Sequence, residues 1–299
     1  VKTPTLSADL SDKGNSYHAL EKCEGVKTNN NVTIIRNISE ITPTTNYLIV
    51  FINYIDLIYN SQLPKTTNVI FIVADYLLNC SEKEQYLLKK YINENSERTY
   101  IWEYGPLNIN YYKKNEIYCK LKFIPLIYNI FLEEIYKQYT EVIPYHKKTI
   151  DVLFIINGMQ DRRKNIINKL KQKCNLVVLS GNNNIDEYCS IVENSKIIIN
   201  IYSKEINKQF DYYRLALLYS NKALVINETM THHDFSLEPN LIELNDVMIN
   251  VEYDNMIDTV VEYLKKSDEE ISEITEKIYQ TFKKHDMKNY IMDFFESQN

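Results

Sequence analysis

Three arginines, a strand-end carboxylate and two turn glycines are the residues whose types could handle a phosphorylated ligand. Arg214 lies three residues after Asp211 where a helical pattern begins, and a guanidinium offers phosphate oxygens a bidentate fork that an ammonium cannot. Glu228 ends the apolar run that starts at Ala223, and a carboxylate there can accept from hydroxyl groups. Tyr202 and Ser203 follow the run Ile197 to Ile201. Upstream, Asn157 and Gly158 close DVLFIING just before Arg162, Arg163 and Lys164. Glycine lets backbone approach a ligand closely, and a helix start brings partial positive charge and N–H groups. Gly181 closes NLVVLSG in the same way. Each has a plainer alternative. Asp211 and Arg214 form a surface ion pair worth a few tenths of a kcal/mol, neighbouring basic residues on a helix face water, and a strand-end Glu is solvated.

The elements that must position these groups read as strand, helix, strand. Ile197 to Ile201 is β-branched and nearly continuous, as in a parallel strand buried on both faces. Phe210, Tyr213, Leu217 and Leu218 recur at helical spacing, Asn221 stands where a left-handed helix stop is wanted, and Ala223 to Ile226 is a second buried strand. In open α/β sheets ligands sit beyond the carboxyl ends of the strands, the edge that carries Tyr202, Ser203, Asp211, Arg214 and Glu228.

The same alternation runs along most of the chain. Strands are expected at Val32–Ile35, Tyr47–Ile52, Val69–Val73, Thr99–Trp102 and Lys122–Leu126, with helices between them. Ser81 with Glu84 is a capping-box signature. Val1 to Asp12 is polar and patternless, so it reads as a tail, and Asn15 to Cys23 as a short helix. Pro144 breaks a connector over Tyr128 to Lys148, and the pattern restarts at Ile150. A strand at Val247–Val251 and helices at Asn255–Lys265 and Ile271–Phe295 finish it. Alternating elements imply parallel sheets with helices on both faces, and 299 residues suggest two domains.

Composition narrows the partners. A net charge of −6 and a pI near 5.5 offer no field for a nucleic-acid backbone. Five scattered cysteines, Cys23, Cys80, Cys119, Cys174 and Cys189, without C-x-x-C spacing read as reduced intracellular thiols rather than a zinc site. The longest apolar stretches fall short of the ~18 to 20 residues that span a bilayer, and no signal peptide opens the chain, so a cytoplasmic protein is expected. Heavy use of Asn, Lys, Ile and Tyr is what an AT-rich genome produces, so four N-x-[ST] sequons read as chance. His232-His233 lies on a polar loop, where adjacent residues rarely converge on one ion. No D-x-D stands beside a strand, and no dinucleotide or P-loop glycine motif occurs.

Asp211-x-x-Arg214 opening a helix, then Asn221-Lys222 leading into LVINE, resembles the C-terminal donor domain of GT-B glycosyltransferases, particularly the CgeB-like and large-DNA-virus types. TYIWEYGPLNINYYKKNEIYCKLKFIPLIY resembles the end of the N-terminal domain in the same families. The resemblance covers roughly residues 45 to 290. It implies two Rossmann-type domains with parallel sheets facing across a cleft: an acceptor domain over 1–143, a donor domain over 144–270, and a C-terminal helix over 271–299 crossing back. A virus-encoded member would act in the host cytoplasm.

The implied activity is metal-independent, cofactor-free transfer of a sugar from a UDP- or GDP-linked donor to a glycan, protein or small-molecule acceptor. The donor would meet Asn157, Gly158, Arg162, Arg163, Gly181, Tyr202, Ser203, Asp211, Arg214 and Glu228. A general base for an inverting transfer would come from Asp75, Glu103 or His18. Many retaining members carry a Glu where counting back from Asn221 reaches Ala216, so Glu228 or Asp211 would replace it. A catalytically silent binding module and a sugar-nucleotide 2-epimerase are the alternatives.

Overall fold

The computed structural model describes residues 4–7, 34–35, 41–43, 45–73, 77, 80–103, 107–125, 127–156, 158–180, 184–205, 212–230 and 242–297. Two compact units divide the chain. The first is Val1–Pro125 with Phe294–Asn299, and the second is Leu126–Asp293. The split falls just before the expected connector, whose helix Ile130–Tyr139 packs within the second unit.

The first unit holds six parallel strands: β1 (Pro4–Ser7), β2 (Ile34–Ile35), β3 (Tyr47–Phe51), β4 (Asn68–Val73), β5 (Thr99–Glu103) and β6 (Lys120–Phe123), in the order β2-β1-β3-β4-β5-β6. β1 lies in the stretch that reads as a tail. It pairs with both β2 and β3, so the tail reading is corrected. Four residues opening on proline carry no period, and only pairing on both edges makes them a strand. Helices α1 (Ile55–Tyr59), α2 (Glu82–Glu94) and α3 (Leu107–Lys114) connect the later strands. Ser81 and Glu84 make the expected capping box on α2, which buries Leu87, Leu88, Tyr91 and Ile92. These pack with Leu48, Val50, Val69, Phe71, Val73 and Ile101 into one core. Alternation puts Tyr47, Tyr100 and Trp102 on the other face. There Phe294 and Phe295 meet them edge-on at ring-centroid distances between 5.1 and 6.1 Å.

The second unit begins with α4 (Ile130–Tyr139). β7 (Ile150–Ile156), α5 (Asp161–Leu170), β8 (Leu176–Ser180), α6 (Ile185–Glu193), β9 (Ser195–Asn200), α7 (Tyr212–Ser220), β10 (Val225–Glu228), α8 (Ile242–Val247), β11 (Ile249–Val251), α9 (Met256–Tyr263), α10 (Asp268–Lys284) and α11 (Met287–Glu296) follow, α11 running into the Phe294–Asn299 segment. The sheet order is β11-β10-β9-β7-β8, all parallel. Val152, Phe154, Ile156, Ile197, Ile199 and Ile226 face Ile166, Ile167 and Leu170 of α5 and Met256 and Val260 of α9. The left-handed stop after α7 is Lys222, at φ 56°, one residue beyond the expected Asn221. Asn221 instead donates its side-chain amide to Leu217 O at 2.8 Å. The C-terminal helix, expected as one piece, breaks at His285–Asp286, where Met287 N donates to Tyr128 O and Asp286 bridges Tyr128.

Candidate functional site

Counted along the chain, the second sheet runs 2-1-3-4-5, and its chain direction reverses between β7 and β9. In sheets of this order, loops leaving the carboxyl ends of the two strands at such a switch point diverge, which makes that edge the usual ligand position. β7 leads through Gly158 to α5, and β9 leads into Tyr202 and Ser203.

Gly158 has φ +85°, a conformation that costs L residues a steric clash, and an added Cβ would meet Gln160 Nε2 at 3.0 Å. Gln160 is the N-cap of α5 but makes no side-chain cap. Its Oε1 accepts from Arg163 Nη1 at 3.1 Å. The first turn of α5 therefore starts at this carboxyl edge without a capping side chain.

The two arginines that follow are tied down differently. Arg163 is 6% exposed; its Nε and Nη2 donate to Ile201 O at 3.0 and 2.9 Å, and its Nη1 donates to Gly158 O at 3.2 Å. It stitches the end of β9 to the loop after β7. Arg162 grips Glu228, with Nη1 to Oε2 at 2.8 Å and Nη2 to Oε1 at 2.6 Å, and Nη1 also reaches Tyr202 O at 2.9 Å. Its guanidinium lies 4.1 Å from the Tyr253 ring centroid. Glu228 is fully buried and also accepts from Tyr202 N at 3.0 Å. The Glu228 hydrogen bonds push the Arg162 pKa up against the opposing effect of burial. Arg162 and Glu228, expected to act separately on a ligand, cancel each other's charge.

On the opposite face of the sheet, Arg214 in the first turn of α7 donates Nη1 to Asn200 Oδ1 at 2.8 Å. Asn200 ends β9, so this guanidinium belongs to the same carboxyl edge. Tyr202 and Ser203 are half-buried at that edge.

Glu103 ends β5 in the first unit and is fully buried. Asn108 Nδ2 donates to Oε1 at 3.0 Å and Tyr112 OH to Oε2 at 2.8 Å. Burial, then the charge of Glu103, raises the Tyr112 pKa well above the ordinary phenol range and pushes Cys119 up to about 11. Its carboxylate is occupied inside the fold. Asp75, His18, Asn157, Gly181, Asp211 and the pair His232-His233 lie outside the described residues. Asn200, Asn227, Tyr219 and Tyr253 were not singled out in advance. The signal was a lone Asn closing the apolar run of β9, and another before Glu228.

No protein-family model matches the sequence, and no curated protein matches it. Solved structures do. A trehalose-6-phosphate synthase studied with bisubstrate glycomimetics for glycosyl transfer with retention superimposes with a TM-score of 0.52 at 9% identity, over 84% of this chain and 72% of that one. The UDP-forming alpha,alpha-trehalose-phosphate synthase of Burkholderia vietnamiensis gives 0.51 at 8% identity, over 88% and 74%. The chain has a GT-B-like fold. At such identities the likeness speaks for the fold alone. Each of the two units carries one of the parallel sheets of that fold. No helix among the described residues is long and apolar enough to cross a membrane.

Proposed function

We propose that this chain is a glycosyltransferase that takes a sugar from a UDP- or GDP-linked donor and passes it to an acceptor without a metal ion. The observation that carries the reading is the switch point between β7 and β9 in a GT-B-like fold, with the uncapped start of α5 after Gly158 and with Arg214 at the same strand edge. Both kinds of group offer N–H donors to a diphosphate, and they gain most as negative charge grows on the leaving diphosphate during transfer. Arg162 and Glu228 brace this edge by holding Tyr202 through its carbonyl and its N–H. The sequence pattern Asp211-x-x-Arg214 with LVINE supports placing the chain beside the CgeB-like types. Metal independence rests on the missing D-x-D.

The burial of Glu103 favours a second reading, a GT-B module that binds a nucleotide or glycan and transfers nothing. Donor hydrolysis in the absence of acceptor separates the two. Turnover of UDP- or GDP-sugar that survives EDTA supports the transferase, and binding without turnover supports the module. For the site itself, Arg214→Lys keeps the charge and loses the fork, while Arg214→Ala loses both. Nucleotide affinity should fall stepwise, by at least about tenfold for alanine. Equal affinities in all three proteins would remove Arg214 from the site.

A further inference from the structure

β11 is the outer strand of the second sheet, paired along one side with β10. The phase of that pairing is set by Thr229 N, which donates to Val251 O at 2.9 Å. In a parallel ladder a residue turns its N–H and its C=O to the same neighbour, and the next residue turns both the other way. Ile249 and Val251 therefore bond toward β10, and Asn250 turns its N–H and C=O outward. Neither of these Asn250 groups has a partner among the described residues. The Asn250 side chain is engaged elsewhere, its Nδ2 donating to the carbonyl and to Oδ1 of Asn245, both at 3.1 Å.

β11 also lines a cavity of about 490 Å³, within the roughly 300 to 1,000 Å³ of ligand pockets. No residue of β10 lines it, so it lies on the outer side of the strand. Helix α9 supplies Glu262 and Tyr263 to its walls, and α10 supplies Ile274 and Lys277. Ile249 and Val251 stay half-buried although they belong with the apolar cluster between α5 and α9. Glu262 and Lys277 are exposed, and neither has an ion-pair partner. The groove thus combines an outward main-chain donor and acceptor, an incompletely covered apolar floor, and one charge of each sign from two different helices.

We propose that β11 is a docking edge for an extended segment of another protein, one that carries a Lys or Arg beside an Asp or Glu and adds a sixth strand to this sheet. An extended segment brings main-chain N–H and C=O groups at strand spacing, which is what Asn250 lacks. It also turns successive side chains to opposite faces, so an adjacent basic and acidic pair can meet Glu262 on α9 and Lys277 on α10 together. This goes beyond the transferase reading and does not depend on it.

The test uses the full chain and the peptide acetyl-TVKEVTV-amide, titrated by fluorescence anisotropy of a labelled form, with melting curves for each variant. Saturating peptide should slow hydrogen exchange at the Asn250 amide and change the Val251 amide, already bonded to β10, much less. Asn250→Pro removes the outward N–H, a change an edge strand tolerates, and should weaken binding more than about tenfold. Asn250→Ala keeps that N–H, loses the same Asn245 contacts, and should bind as wild type does. Glu262→Lys should bind the peptide roughly three- to tenfold more weakly. It should recover on acetyl-TVEEVTV-amide, whose charges match two lysines. No binding by the wild type below about 1 mM, or equal binding by Asn250→Pro and Asn250→Ala, would overturn the proposal. A loss in Glu262→Lys that the doubly acidic peptide fails to recover would do so too. Self-association of the wild type that Asn250→Pro abolishes would give the edge to a second copy of this chain, and likewise overturns it.

Discussion

The Arg162–Glu228 pair makes a prediction that separates a structural role from a ligand-binding one. Arg162 is 13% exposed by its side chain and Glu228 not at all, so both charges are largely out of water. Desolvating them is expensive, and their attraction repays it only while both are present with good geometry. The two hydrogen bonds of 2.8 and 2.6 Å, with a third from Tyr202 N to the same carboxylate, supply that geometry. Glu228→Gln keeps the shape and removes the charge, placing a donor against the guanidinium. Breaking one side of such a pair costs about 3 to 5 kcal/mol. For a unit of this length, 1 kcal/mol moves the melting temperature by roughly 2 to 4 °C, so the expected fall is about 6 to 20 °C. Arg162→Met should fall similarly. The double variant Arg162→Met with Glu228→Met should recover most of the loss, because an apolar pair carries no desolvation debt. Calorimetric or circular-dichroism melting of the four proteins is the assay. A Glu228→Gln protein that melts within about 2 °C of wild type, yet loses nucleotide binding, would refute the pairing argument and return Glu228 to the ligand.

Three further outcomes follow from local geometry. Gly158→Ala forces a side chain into φ +85° and should cost about 1 to 2 kcal/mol, read as a lower denaturant midpoint with an unchanged m-value. Phe294→Ala should destabilise the first unit by about 3 to 5 kcal/mol, because Phe294 is 2% exposed against Tyr100 and Trp102; a change under 1 kcal/mol in urea melts would contradict its place in that cluster. Burial holds the His285 pKa below its ordinary value, and its Nε2 has no hydrogen-bond partner among the described residues. The unfolded chain then binds the extra proton first, so this contribution is complete above about pH 6.5 and is lost as pH falls below it. His285→Leu should flatten melting temperature against pH between about pH 7 and 5. Glu133 has the same sign in a more acid window: burial raises its pKa, but hydrogen bonds from Tyr279, Tyr128 and Lys137 bring it below the ordinary value.

The sequence by itself determined the α/β class, most strands and the cap of the longer helix in the first unit. These are local properties: β-branched runs bounded by polar turns, and Ser81 with Glu84 three residues on. It also brought Gly158, Tyr202, Arg214 and Glu228 to one sheet edge, because in a parallel sheet every strand ends on the same side. β1 was illegible, since Pro4–Ser7 becomes a strand only between two neighbours that supply its hydrogen bonds. The charge pairing was equally hidden. Arg162 and Arg163 look alike in sequence, yet one meets Glu228, 66 residues away, and the other meets Ile201 O. Both stand on α5 over one face of the sheet; helical phase aims them at different strand ends, and which oxygen lies there depends on strand order. Asn200 tells the same story. One polar residue closing an apolar strand is visible in the chain, but its link to Arg214 exists only once the crossover lays α7 over β9.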